Sequence, residues 1–179
     1  MQSDGFVLLG GAFTTLQPGA TGTPGTGRPD APPLRQEFHD RQSTGQVVVS
    51  LDDREYHTTK QGKLLYYLNP DIYKNTPLQD WRVFTHSLIN QSGKHRHQGG
   101  LVIYVIEGKG WSIVDDERVD WEAGDLLLLP IKKGGVTHQH FNAEPGKDCH
   151  WIAFSYMPFF DYNASEFTQV DTSPLYKGT

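Results

Sequence analysis

Gly93-Lys-His95-Arg-His97-Gln-Gly-Gly-Leu-Val-Ile-Tyr-Val-Ile-Glu-Gly108, followed by Gly124-Asp-Leu-Leu-Leu-Leu-Pro130 and His138-Gln-His140-Phe-Asn142, are the stretches whose reading decides the fold. Each contains a His-x-His pair. Residues two apart in a strand point to the same face, so each pair can set two imidazoles on one surface. A neutral imidazole nitrogen is the commonest side-chain ligand for transition metals near neutral pH. One such pair in a strand is weak evidence for a metal. Two pairs separated by several strands are stronger, and they can meet only if the sheet curls into a barrel.

Working outward, short β-rich runs surround both pairs. They are Trp81 to Asn90, Leu101 to Glu107, Trp111 to Asp115, Arg118 to Trp121, Asp125 to Pro130, Val136 to Asn142 and His150 to Met157. Gly, Pro or the Asp115–Asp116 turn punctuates them at intervals of about 8–12 residues, the spacing of an antiparallel sandwich or barrel. The 179-residue chain contains 19 Gly and 11 Pro, and no heptads or long amphipathic helices are present, which favours an all-β protein of one domain.

The flanks read differently. Residues 1–34 form a Gly/Pro-rich leader with little apolar surface to offset its ordering entropy. Residues 35–80 are expected to be an N-terminal arm packing on the barrel. Within it Val47 to Leu51 reads as a short strand, and Gly62 to Leu68 as either helix or strand. The barrel itself is placed at 81–160, and 161–179 reads as a polar, peripheral C-terminal tail.

Over roughly residues 81–157 the sequence resembles the cupin superfamily, whose two motifs are matched by the stretches quoted above. The resemblance implies a double-stranded β-helix, a jelly-roll barrel, with a metal held by His95, His97 and His138. Two departures stand out. The loop from Pro130 to His138 is long, filled by Lys132, Lys133, Gly134 and Gly135. The place of the family's glutamate ligand is taken by Gly100. Glu107 does not replace it, because ten extended residues from His97 span about 30 Å at ~3.3 Å each.

The strings His95-Arg-His97, Ile106 to Gly110, Trp121 to Leu126 and His138 to Asn142 look more specifically like the gentisate, salicylate and hydroxynaphthoate ring-cleaving dioxygenases. That resemblance implies Fe(II), with Mn, Ni or Zn as other ions the set accepts. It also implies dioxygen and a metal-chelating hydroxylated aromatic, phenolic or dicarbonyl substrate, with His140 beside the substrate as a catalytic residue. Relatives of this kind usually carry two cupin domains. Single-domain cupins commonly pair, so a homodimer is expected. A dication on three neutral imidazoles keeps its full charge, which favours an anionic chelating ligand.

Plainer readings stand beside these. His140 serves equally as a buried barrel histidine. His86 is left out of the ligand set, and His39, His57 and His150 have no partner pattern. Strand alternation turns Arg96 outward. Tyr104, Trp111, Trp121, Trp151, Phe154 and Tyr156 are mostly core, with one or two lining a pocket. The net charge of −5, without a basic stripe, argues against nucleic acid. No apolar run approaches the ~20 residues of a membrane span. Phe6 to Phe13 is too short, and wrongly flanked, for a signal peptide. The single cysteine, Cys149, fits a reducing, cytoplasmic setting. The competing functions are a metal-dependent lyase or isomerase on the same scaffold, and a non-catalytic ligand-binding module.

Overall fold

The computed structural model describes residues 32–178. The leader expected over 1–34 therefore falls almost entirely outside the described residues. Two compact units divide the chain at Glu37/Phe38. Of the first, only the start of helix α1 (Pro32–Thr44) is described.

The second unit is the barrel. Its strands in chain order are β1 (Tyr56–Thr59), β2 (Gly62–Leu68), β3 (Trp81–Ser87), β4 (Lys94–His97), β5 (Leu101–Glu107), β6 (Lys109–Val114) and β7 (Glu117–Glu122). Then follow β8 (Leu126–Leu129), β9 (Val136–Asn142), β10 (His150–Tyr156), the short helix α2 (Met157–Tyr162) and β11 (Thr168–Asp171). Six strands form one antiparallel sheet in the order β1-β2-β3-β10-β5-β8, and five form the other, β11-β4-β9-β6-β7. Strands far apart in sequence lie side by side, as a jelly roll requires, and the all-β expectation holds.

Alternation sorts the side chains. On β5, Leu101, Ile103 and Val105 are buried while Tyr104 and Ile106 face outward. With Leu88, Trp121, Leu129, Cys149, Trp151 and Ala153 they make the core. On β9 the buried set is Val136, His138, His140 and Asn142, so the same periodicity that builds the core turns both histidines inward. Of the six aromatics expected to be mostly core, Tyr104 and Tyr156 lie more than 40 % exposed.

The turn between β6 and β7 bears on the site. Asp115 adopts φ 54°, a left-handed conformation that Asp tolerates. One of its carboxylate oxygens accepts from the Thr137 N–H at 2.9 Å, and the other pairs with Lys132 Nζ at 2.6 Å. The long loop before His138 is thereby tied to the hairpin, and β9 enters the sheet at a fixed register.

Four segments differ from expectation. Val47 to Leu51 forms no strand: Val47 and Val48 are 82 % and 79 % exposed, and Leu51 begins a single 3-10 turn, Leu51–Asp53. β-branched residues favour a strand only where a partner edge takes them up. Gly62 to Leu68 is a strand, paired with β3 from Lys63↔Ser87 onward, so the region expected as an arm contributes two strands to the larger sheet. The helix at Pro32–Thr44 was not foreseen. The tail is not peripheral, because Thr168 and Gln169 pair with Arg96 and His95 on β4. Among the described residues no helix is long and apolar enough to cross a membrane.

Candidate metal centre

His95 and His97 stand on β4 and His138 on the neighbouring β9, with His95 directly opposite His138. The ring centroids lie 4.0 Å apart for His95–His138, 4.8 Å for His97–His138 and 5.6 Å for His95–His97. One nitrogen from each ring lies within 4.8 Å of the others, and among the described residues these three make a group that could hold a metal ion.

Burial keeps the set neutral. Desolvation, reinforced by the neighbouring imidazoles, lowers His95 to about 3. Burial also lowers His97, and takes His138 well below the usual histidine range. Neutral rings are the form a metal binds.

Hydrogen bonds set which nitrogen is free. His138 donates Nδ1–H to the Val136 carbonyl at 3.2 Å, which leaves Nε2 as a bare lone pair. That Nε2 is buried without a hydrogen-bond partner. A buried, unpaired acceptor is expensive, and a metal would satisfy it. His95 has the same polarity through a longer contact to the Gly93 carbonyl, 3.4 Å. His97 differs: its Nδ1 accepts from the Gly99 N–H at 3.1 Å, so the neutral ring carries its proton on Nε2. Coordination through that Nε2 requires His97 to exchange tautomers and release the Gly99 contact. The donor set suits a divalent transition ion, with His97 the ring that must adjust.

The three rings line a cavity of about 510 Å³, whose wall includes Arg82, Lys60, Phe84 and Trp151 and, among the described residues, no Asp or Glu. Gly100 supplies no ligand, and Glu107 is exposed at the end of β5, opposite His150. Arg82 is shared with Asp71 at 2.9 Å, so Asp71 offsets part of its charge. The unoffset positive character of the wall suits an anion.

His140 is 2 % exposed and lines the same cavity. Its Nδ1 lies 2.7 Å from Ser112 Oγ, and Trp121 Nε1–H donates to that same oxygen at 2.8 Å. His86 also reaches the cavity, edge-on to Trp151 at 4.8 Å, but stands outside the three-histidine group. His57 and His150 do not line it.

Sequence reasoning missed the contribution of α2 and the tail. Phe167 stacks on His95 with centroids 4.9 Å apart, Phe160 lies 6.1 Å from His97, and both line the cavity together with Gln169. The available signal was four aromatics, Phe159, Phe160, Tyr162 and Phe167, set among polar residues, which hydropathy alone does not raise above a loop.

Comparison with known proteins agrees with the geometry. Residues 89–155 match the cupin domain family model. A gentisate 1,2-dioxygenase of a Streptomyces species is 33 % identical over 92 residues, 47 % of this chain, and the match spans a quarter (25 %) of that protein. Among solved structures, a Streptomyces Pac13 variant with uridine gives a TM-score of 0.51 at 14 % identity, covering 72 % of this chain and 94 % of that one. Pac13 is described as a nucleoside dehydratase. A salicylate 1,2-dioxygenase variant from Pseudoaminobacter salicylatoxidans is 24 % identical with a TM-score of 0.42, covering 56 % of this chain and 28 % of the other. Two antiparallel sheets and both histidine motifs thus coincide with a cupin domain match over residues 89–155.

Proposed function

We propose that His95, His97 and His138 hold one divalent metal, Fe(II) in the first place, and that the chain is a non-haem dioxygenase for a metal-chelating hydroxylated aromatic or related phenolic or dicarbonyl compound. The observation that carries this reading is a cavity with three neutral imidazoles, two cationic side chains and, among the described residues, no carboxylate on its wall. The likeness to a gentisate dioxygenase over the barrel supports it. A ferrous ion held by such a set would supply Lewis acidity and one-electron chemistry.

The chain's own residues do the rest. Arg82 and Lys60 attract an anionic ligand, and the low-dielectric wall strengthens that attraction. Phe84, Trp151 and Phe167 flank a flat ring. His140 faces the ligand from the inner face of β9. A homodimer belongs to the same proposal, supported by the outer sheet face where Tyr104, Ile106, Leu126 and Leu128 lie 43–62 % exposed.

The test is oxygen uptake by protein reconstituted with Fe(II) under anaerobic conditions, then given air and a panel of hydroxybenzoates, catechols and β-dicarbonyls. Consumption with at least one member, abolished in His138→Ala, is expected. No uptake with any member overturns the reading, and turnover without oxygen moves the chain to a metal-dependent lyase or isomerase.

A further inference from the structure

The contacts around His140 determine more than its location. His140 sits directly opposite Ser112 across the β9–β6 ladder, and Trp121 reaches the same serine from β7. Ser112 is 0 % exposed, so no solvent competes for its hydroxyl. An indole nitrogen is only a donor, so Ser112 Oγ must accept from Trp121. The serine proton then has one acceptor within reach among the described residues, Nδ1 of His140 at 2.7 Å. A ring nitrogen that accepts a hydrogen bond carries no proton, so the neutral ring keeps its proton on Nε2. The backbone is held as tightly: the His140 N–H donates to Ser92 Oγ at 2.9 Å, and the His140 carbonyl accepts from the Ser92 N–H at 2.9 Å.

We propose that Ser112 and Trp121 are positioning residues that lock His140 in the Nε2–H tautomer, so that it presents a hydrogen-bond donor, not a base, to the cavity. This polarity is opposite to that of His138 two residues earlier, whose Nδ1–H goes to a carbonyl and whose Nε2 is bare. Adjacent inward positions on one strand thus have complementary jobs: His138 offers a lone pair and His140 a proton. The ligand atom beside His140 is therefore an acceptor, a phenolate, carboxylate or carbonyl oxygen. That last statement rests on the cavity being the reaction site; the tautomer does not.

The lock is read directly by two-bond 1H–15N correlation of the full chain, labelled with 15N, both metal-free and zinc-loaded, with the His140 signals assigned by loss in His140→Gln. A pyrrole-type Nε2 and a pyridine-type Nδ1 are expected at His140. Ser112→Ala should move the tautomer ratio by about tenfold toward Nδ1–H, the scale of one buried hydrogen bond. Ser112→Thr, which keeps the hydroxyl, should restore it. Trp121→Phe frees the serine oxygen to accept and should loosen the ratio in the same direction, with the His95 and His138 signals in place as the check on folding. An Nδ1–H tautomer in the wild-type chain overturns the proposal without recourse to any variant. So does a ratio indifferent to both Ser112→Ala and Trp121→Phe. A dioxygenase assay that fails while the Nε2–H tautomer stands counts against the reaction and leaves the lock intact.

Discussion

At the scale of single residues, the cavity uses burial to keep histidines uncharged, and His86 isolates that effect from any metal. It lies under Gly62, where a Cβ would meet its Nε2 at 2.5 Å, so the glycine (φ 131°) is what allows the chain to pass over the ring. Burial, helped by His150, lowers His86 to about 3 from an ordinary 6.5. A histidine whose folded pKa is depressed binds more protons unfolded than folded between those values. Its contribution to stability is whole above about pH 6.5 and falls away as the pH drops toward 3. The slope from one such group is at most about 1.4 kcal/mol per pH unit. Urea unfolding of metal-free protein between pH 7 and 5 should therefore show stability falling with acid, less steeply in His86→Gln. An unchanged slope in that variant would mean His86 is already solvated.

Among the elements, β4 and β11 show where sequence reading succeeds and where it stops. β9 was legible because inward histidines at period two carry a strong signal against polar neighbours, whereas β4 falls outside the β-rich runs and was marked only by the pair in His95-Arg-His97. β2 was ambiguous, since Gly62 to Leu68 is a continuous apolar run whose partner, β3, is what makes it a strand. β11 was invisible. Apart from the exposed Val170 its residues Thr168–Asp171 are polar, and they join the sheet through main-chain pairing that leaves no hydrophobic pattern. That strand still matters to the site, because it covers the free edge of the strand that bears His95 and His97. It also follows directly on Phe167, whose ring lies over His95. Ending the chain after Ser165 should raise amide exchange along β4 and weaken zinc affinity by about 10–100-fold, the range for losing support around metal ligands. Calorimetric titration checks this, and unaltered affinity would reduce β11 to an edge cover.

Over the whole molecule, charge is partitioned. The chain carries a net −5, yet among the described residues no Asp or Glu lines the cavity, where Lys60 and Arg82 stand instead. The acidic side chains lie outside, in pairs such as Arg118–Asp120 and Lys147–Glu144, exposed contacts worth little individually. The inside is left to neutral imidazoles, aromatic walls and two cations. The lack of any acidic residue between His97 and Glu107 was legible in the sequence as a missing charge; the His140–Ser112–Trp121 chain was not, because it depends on the register of β6 against both β7 and β9. The reaction proposed for the cavity presumes a metal on His95, His97 and His138. The most direct measurement is elemental analysis of protein purified without chelators, wild type beside His138→Ala. About one divalent transition ion per chain in the wild type, lost from a variant that keeps its fold, is the expected result. A wild-type chain that takes up no metal even when reconstituted, or a variant that retains it in full, would contradict the account.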